Sequence, residues 1–160
     1  MTAPTPNSQI VIFRLADDWF AADVFSVERV LRYKAPTAIP DVPDWIVGVL
    51  DYQKRVVPVI DLRRRFDLPA VAPSPETRIL IFTADGEWIG AVADGVVEVT
   101  ALEDGAIAAP PPMFRGLAAE YLLGLVRRSD RLVIVLDVAR LLSTTDKLTL
   151  DQARSGNAHA

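Results

Sequence analysis

Cysteine is missing from this 160-residue chain, and histidine occurs once, at His159 near the end. Without cysteine the chain has no disulfide, no thiolate metal site and no cysteine nucleophile, a composition that suits a reducing compartment. A single terminal histidine also excludes a histidine-based catalytic triad and a histidine metal cluster. We therefore expect a cytoplasmic protein with no bound metal and no cofactor.

A basic surface and long apolar runs are also missing. The formal net charge is −4, whereas non-specific nucleic-acid binding needs a basic surface that neutralises phosphates. No apolar stretch approaches the roughly 18 residues of a membrane span, and the opening MTAPTPNSQ does not resemble a secretory signal. The sequence thus predicts no nucleic-acid partner and no membrane insertion, while a hydrophobic share of 51% is enough for a substantial core.

The sequence does contain many short apolar segments separated by turns. Strands are predicted at QIVIFRL, WIVGVL, VVPVIDL and RILIF, and Asp85-Gly86 is a typical hairpin turn. The proline-rich segments APTAIPDVPDW and AVAPSPE are expected to lack regular structure. Short helices are predicted at LRRRFDLP and, near the C-terminus, at VARLLSTTDKL. Many short strands with few helices favour small barrels over a parallel sheet with helical crossovers.

The order of these segments occurs twice along the chain. Gly48 precedes Asp61 by thirteen residues, and Gly124 precedes Asp137 by the same distance. In both places an apolar strand leads to the Asp and a short amphipathic segment follows it. Two halves with the same order of segments predict two similar β units. Units of this length would be marginal alone, so we expect them to share apolar surface.

Two interpretations exist for Asp61 and Asp137. A pair of carboxylates can supply general acid/base chemistry. Each Asp, however, follows a strand and precedes a short helix, where its side chain can accept hydrogen bonds from the first free N–H groups. We favour structural caps. Because the sequence also lacks a phosphate-binding glycine loop and a serine nucleophile motif, we predict that the protein is not an enzyme.

Other residues also have both a structural and a functional interpretation. The arginine run 63–65 could bind a phosphate or an acidic partner, but on a short helix we expect a solvated face. Trp19 and Trp88 occupy matching repeat positions, which favours core packing, whereas Trp45 is either packed in the core or exposed at a groove. Pro58 cannot donate to a ladder, so its strand should be at an edge or bulged.

Five segments, in order, resemble the CheW-like family of bacterial chemotaxis, which includes coupling proteins and the regulatory domain of the kinase CheA. They are IVIFRLADDWFAADVFSVERVLRY, IPDVPDWIVGVL, VVPVIDLRRRF, IGAVADGVVEV and YLLGLVRRSDRLVIVLDVARLL. The resemblance covers residues 9–145 and implies one mainly β domain of two intertwined, five-stranded SH3-like barrels on a shared hydrophobic core. Residues 1–8 and 146–160 are expected to be flexible tails.

The resemblance also implies a non-enzymatic adaptor that couples methyl-accepting chemoreceptors to a CheA-type histidine kinase. In the family, one barrel pairs with a barrel of the kinase's regulatory domain, and the groove between the barrels takes the receptor's helical hairpin tip. The predicted partner-binding residues are Val27, Arg29, Asp51, Tyr52, Gln53, Lys54 and Arg55.

The chain departs from the family at the tip of one hairpin. Family members commonly read Gly-Val-x-Asn-Leu-Arg-Gly where this chain has GVLDYQK, residues 48–54. Gln53 therefore stands in place of an arginine and Lys54 in place of a glycine. This leaves a second interpretation open, in which the chain is a divergent module for a non-receptor partner, for example in a pilus or surface-motility system.

Overall fold

Regular structure in the computed structural model is almost entirely β, and the structure describes residues 9–102, 107–108 and 121–142. The ten strands are β1 (Gln9–Leu15), β2 (Asp18–Asp23), β3 (Val27–Arg32), β4 (Ile46–Tyr52), β5 (Arg55–Asp61), β6 (Arg78–Ala84), β7 (Glu87–Ala93), β8 (Gly95–Ala101), β9 (Leu122–Arg128) and β10 (Arg131–Leu136). A 3₁₀ turn spans Val24–Ser26, and helix α1 spans Leu62–Arg65.

The predicted C-terminal helix begins at residue 138 and is described as far as 142. Its predicted continuation and the predicted flexible tails, 1–8 and 146–160, lie outside the described residues. In the part of the chain that the structure describes, no helix is long and apolar enough to cross a membrane.

The strands form two five-stranded sheets. One sheet has the order β8-β1-β2-β10-β9 and the other has the order β3-β6-β7-β5-β4. We call the two units barrel A and barrel B. The predicted fold class, mainly β with two small barrels and few short helices, is confirmed.

Neither barrel corresponds to one half of the sequence repeat. Barrel A takes β1 and β2 from the first half and β8, β9 and β10 from the second, whereas barrel B takes β3, β4 and β5 from the first half and β6 and β7 from the second. A parallel strand pair joins the halves in each barrel, β2 with β10 and β5 with β7. The two repeats have exchanged strands, so each barrel needs both halves of the chain.

The two repeat glycines lie where another chain segment crosses their strand. A Cβ at Gly48 would overlap the carbonyl oxygen of Thr37, and a Cβ at Gly124 would overlap that of Ala108. In both barrels the crossing segment forms an isolated antiparallel bridge with the residue after the glycine. The glycine is therefore required at both positions because any larger residue would push the crossing segment away.

A shared apolar core lies between the barrels. It contains fully or nearly fully buried side chains of both, such as Phe13 and Phe20 of barrel A and Phe82 of barrel B. Phe66, at the end of α1, stacks on Phe20 with ring centroids 5.6 Å apart. Each barrel also has a smaller apolar cluster of its own. Burying one such side chain contributes about 1.5–3 kcal/mol, so the shared core holds the barrels together.

Pro58 lies in an internal strand and not at an edge, contrary to the prediction from its missing N–H. Strand β5 has β4 on one side and β7 on the other. The ladder with β7, however, covers only Val59–Asp61, so it begins after Pro58 and loses no bond to it. The bulge of this hairpin lies in the partner strand, between Ile46 and Gly48.

Candidate partner-binding site

The predicted residues of the tip form the end of the β4–β5 hairpin. The two turn residues, Gln53 and Lys54, have φ angles of 47° and 65°, as in the type I′ turns that two-residue hairpins prefer. Glycine and asparagine usually occupy such positions, because a left-handed conformation costs other residues about 1–2 kcal/mol. Lys54 therefore keeps the left-handed conformation although the glycine of the family pattern is absent.

Arg55 folds back onto barrel B. Its guanidinium carbon lies 3.9 Å from the centroid of the Trp88 ring, and its Nη2 donates a hydrogen bond to the carbonyl of Gly86 at 2.8 Å. The other neighbour of Trp88 is Tyr52, with ring centroids 5.3 Å apart. The Tyr52 hydroxyl accepts a hydrogen bond from Gln53 Nε2 at 3.2 Å. These contacts fasten the tip to the β6–β7 turn.

Barrel A repeats the same arginine clamp. The guanidinium carbon of Arg131 lies 4.5 Å from the Trp19 ring centroid, and Arg131 Nη1 donates to the carbonyl of Asp17 at 3.1 Å. These pairs are not among the contacts predicted from the sequence, although a signal exists: each clamp arginine stands six residues before the Asp of its repeat. Both tryptophans are half-buried under an arginine.

The exposed part of the tip combines polar and apolar groups. Asp51, Gln53 and Lys54 are exposed, and next to them the side chain of Val56 is 67% exposed. The tip therefore presents a carboxylate, an amide, an ammonium group and an apolar side chain within a few residues. Protein–protein interfaces have this composition, with apolar contact surrounded by polar groups.

The other two predicted partner-binding residues lie on a different strand. Val27 is half-buried and Arg29 is exposed on β3, which is at the opposite edge of its sheet from β4. Val30 of the same strand is 39% exposed, and Phe25, just before it, is 84% exposed. The predicted residues thus form two groups on separate strands. Phe25, an exposed aromatic residue at the junction between the barrels, is not among the residues predicted from the sequence.

Asp61 and Asp137 each lie at the start of a helix. Asp61 Oδ1 accepts a hydrogen bond from the backbone N–H of Arg63 at 3.0 Å, and Asp137 Oδ1 accepts from that of Arg140 at 3.2 Å. Both carboxylates satisfy N–H groups that have no partner within the helix, as N-cap residues do. The N-cap position accounts for both residues without any chemistry.

The expected solvated arginine face is wrong for two of its three members. Arg65 is 7% exposed, and its guanidinium carbon lies 4.4 Å from the ring centroid of Trp45 and 5.0 Å from that of Tyr121. Arg63 belongs to a part-buried ion pair, and Arg64, with a 42% exposed side chain, is the solvated one. Trp45, for which exposure at a groove was one interpretation, packs half-buried against the shared core.

The ion pair of Arg63 joins it to Asp94, and both side chains are 13% exposed. Burial raises the pKa of Asp94, but the hydrogen bonds from Arg63 and the backbone of Ala16, with the charges of Arg63 and Arg14, outweigh burial and hold that pKa below its ordinary value. The hydrogen bond to Asp94 in turn raises the pKa of Arg63. Both groups are therefore charged at neutral pH.

A crevice of about 190 Å³ adjoins this ion pair and is lined by Arg63, Asp94 and apolar residues that include Val47 and Val92. Across residues 9–102, 107–108 and 121–142, no three His, Cys, Asp or Glu side chains are grouped so that they could hold a metal ion. Two surface features among the described residues contain predicted partner-binding residues next to exposed apolar side chains: the β4–β5 tip and the exposed side chains around β3.

Comparison with known proteins gives relatives along nearly the whole chain. The family model for the CheW-like domain matches residues 9–146. The chemotaxis protein CheW of Klebsiella aerogenes is 30% identical over 151 residues, which cover 94% of this chain and 91% of that protein. Protein FrzA of Myxococcus xanthus is 31% identical over 141 residues, which cover 87% of this chain and 88% of that protein.

A solved structure has the same two-barrel fold. The crystal structure of the scaffolding protein TtCheW from Thermoanaerobacter tengcongensis matches with a TM-score of 0.75 at 31% sequence identity. The match covers 81% of this chain and 88% of that one.

Proposed function

Because this chain belongs to the CheW-like family, we propose that it is a non-enzymatic adaptor that couples chemoreceptors to a CheA-type histidine kinase. The observation that carries the proposal is the exposed β4–β5 tip on a fold that it shares with a scaffolding protein. The clamp of Arg55 on Trp88 holds the tip in place. A hairpin that is already ordered loses little conformational freedom when a partner docks, which favours binding.

The proposal assigns two partners and two groups of contact residues. The partners are the kinase's regulatory domain and the cytoplasmic tip of a methyl-accepting receptor, which would place the protein in the cytoplasm at membrane-associated receptor arrays. Contacts come from the tip, Asp51–Arg55, and from Val27 and Arg29 on β3. Residues 9–145 act as one domain, and Asp61 and Asp137 serve the fold alone.

Co-sedimentation with receptor-bearing membranes tests this function. We expect the protein to appear in the receptor pellet, to recruit CheA to it, and to raise kinase activity above that of receptors and kinase alone. The matched sample contains membranes without receptors. A protein that binds neither receptors nor kinase would overturn the proposal.

The tip can be tested by a double substitution, Gln53→Ala with Lys54→Ala. Both side chains are exposed, and the hydrogen bond that Gln53 donates to the Tyr52 hydroxyl is exposed too, so the melting temperature should change little. Loss of two contact side chains should weaken partner binding by about 1–2 kcal/mol, or roughly five- to thirtyfold in Kd. Isothermal titration calorimetry against each of the two proposed partners, the kinase's regulatory domain and the receptor tip, measures this change.

Arg131→Ala provides the matched control, because Arg131 makes in barrel A the contacts that Arg55 makes in barrel B. We expect Arg55→Ala and Arg131→Ala to lower the melting temperature alike, since each loses one cation–π contact of about 0.5–2 kcal/mol. If Arg55→Ala weakens binding only because it lowers stability, Arg131→Ala should weaken binding by the same amount. If the double variant at Gln53 and Lys54 binds as tightly as the parent, the tip is only a hairpin end.

A second role is favoured by the composition of the tip. Gln53 keeps hydrogen-bonding capacity but has neither the charge nor the planar five-donor group of the arginine in the family pattern. In this second role the chain is a divergent module that binds a non-receptor partner, for example in a pilus or surface-motility system. Binding to the kinase without binding to receptors, in the same co-sedimentation experiment, would select this role.

A further inference from the structure

The chain passes between the two barrels at two crossovers that occupy matching positions in the repeat. Strand β2 of barrel A leads to β3 of barrel B through Val24–Ser26, and β7 of barrel B leads to β8 of barrel A through Asp94. A change in the angle between the barrels must alter the backbone at or near these crossovers.

Asp94 bonds to both barrels at the second crossover. Its Oδ2 accepts a hydrogen bond from the backbone N–H of Ala16, in the β1–β2 turn of barrel A, at 2.6 Å. Both carboxylate oxygens accept from Arg63 Nε, at 3.0 and 2.9 Å, and Arg63 belongs to α1, which follows β5 of barrel B. The backbone N–H of Asp94 donates to the carbonyl of Arg14 on β1 at 2.9 Å. One residue thus joins a turn of barrel A to the helix of barrel B.

Arg14 and Glu76 provide a second link at the same crossover. Arg14 Nη2, on barrel A, donates to Glu76 Oε2 at 2.9 Å and to the carbonyl of Asp94 at 3.1 Å, and Glu76 lies just before β6 of barrel B. A Cβ at Gly95 would lie 3.3 Å from Arg14 Nη2. Because glycine has no side chain, position 95 leaves room for the Arg14 side chain, which reaches across the crossover.

The first crossover is built differently. Phe25 lies in the 3₁₀ turn of this crossover and is 84% exposed. Its backbone N–H donates to Asp23 Oδ1 at 2.9 Å, which orders the 3₁₀ turn locally. An exposed phenyl ring cannot form an ion pair, so the crossover at Phe25 lacks the charged link that Asp94 makes.

The shared apolar core attracts the barrels to each other, but apolar contact is non-directional. Charge-assisted hydrogen bonds add geometric specificity. We infer that Asp94, Arg63, Arg14 and Glu76, with the Ala16 N–H, form a latch that fixes the angle between the barrels at one crossover. Opening the latch leaves the barrels free to change their relative angle. The latch goes beyond the proposed adaptor function and does not depend on it.

Spin labelling tests the latch directly, because the chain has no cysteine and labels attach only where one is introduced. Asp51→Cys on β4 and Arg127→Cys on β9 place one label on each barrel, at exposed and matching repeat positions. Pulsed electron–electron double resonance gives the distance distribution between the labels. We expect Asp94→Asn, which keeps the side-chain size and one acceptor oxygen but loses the charge, to broaden or shift that distribution.

Glu98→Gln is the matched control. It breaks the ion pair between Glu98 and Arg128, with an N–O distance of 3.0 Å, which joins β8 to β9 within barrel A. This variant should keep the parent distribution. Hydrogen exchange adds a second measurement: Asp94→Ala should remove the protection of the Ala16 amide while the amides of β6 stay protected.

The latch is overturned if Asp94→Asn folds and keeps the parent distance distribution. Should Asp94→Asn not fold, Arg63→Gln replaces it, because it removes the positive charge that pairs with Asp94 while the Ala16 N–H can still donate to that carboxylate. A parent-like distribution in Arg63→Gln then also counts against the latch. Neither kinase nor receptor is present in these measurements, so their outcome is separate from that of the coupling test.

Discussion

Lys54 and Arg55 are neighbours at the same turn but differ in what holds them. Arg55 is clamped on Trp88, whereas Lys54 is exposed and has a φ of 65°. A residue with a Cβ pays about 1–2 kcal/mol to adopt the left-handed conformation. The hairpin turn imposes this conformation on Lys54, so the turn carries a local cost at that position.

Replacing Lys54 with glycine tests this cost. We expect Lys54→Gly to raise the free energy of unfolding by about 0.5–1 kcal/mol, because relief of the left-handed Cβ exceeds the added entropy of the unfolded chain. Urea denaturation measures the difference. Lys54→Ala is the matched control, since it removes the ammonium group but keeps the Cβ. Equal stability of the glycine and alanine variants would show that this position is not strained.

The arginine run shows what local sequence cannot predict at the residue scale. Arg63, Arg64 and Arg65 are the same residue type, yet Arg63 lies in a part-buried ion pair, Arg64 at the surface and Arg65 close to two aromatic rings. The side-chain partners of Arg63 and Arg65 are 31 and 56 residues away along the chain. The spacing of residues within a four-residue helix contains no information on partners so distant in sequence. The prediction of a solvated face was therefore wrong for Arg63 and Arg65.

At the scale of elements, α1 depends on its cap and on burial. The helix has four residues, too few to form unaided because helix nucleation is unfavourable. Leu62 is fully buried and Phe66 nearly so, which holds the helix against the shared core. The hydrogen bond from the Arg63 N–H to Asp61 fixes where the helix begins.

Asp61→Ala should therefore lower stability and leave partner binding intact. Loss of an N-cap costs about 0.5–2 kcal/mol, which thermal unfolding resolves. Asp61→Asn is the control, because asparagine caps as well as aspartate does, and it should unfold close to the parent temperature. If the alanine variant is as stable as the parent but loses an enzymatic turnover that the parent shows, the result would instead support acid–base chemistry at Asp61.

Local patterns predicted most elements but not how they pair. The strands, the Asp85-Gly86 turn and the hairpin tip at 51–55 follow from alternation and turn residues. The pairing of β3 with β6, and not with β2, joins segments about fifty residues apart (Val27 with Phe82), and periodicity does not encode it. Pro58 was misplaced for the same reason, since its strand became internal through a short ladder with β7. At the candidate site, the tip was predicted but the clamp beneath it was not.

At the scale of the whole molecule, strand exchange makes the barrels depend on each other. Each barrel contains strands from both halves of the repeat, and the shared core combines buried side chains of both barrels with α1. Unfolding barrel B would remove an aromatic partner from both Phe13 and Phe20 of barrel A, because the Phe82 ring packs tilted against Phe13 and the Phe66 ring stacks on Phe20. Neither barrel can be expected to persist alone, unlike two domains joined by a linker.

The two barrels should therefore unfold in one cooperative transition. Trp19 reports on barrel A and Trp88 on barrel B, so two variants that keep one of them, with the other tryptophans replaced by phenylalanine, follow each barrel by fluorescence. We expect both probes and far-ultraviolet circular dichroism to give the same urea midpoint, as in two-state unfolding. The common urea slope should be about 1–3 kcal/mol/M, since m scales with the surface exposed on unfolding. Two separate midpoints would show that the shared core does not couple the barrels, and would contradict the single domain proposed for residues 9–145.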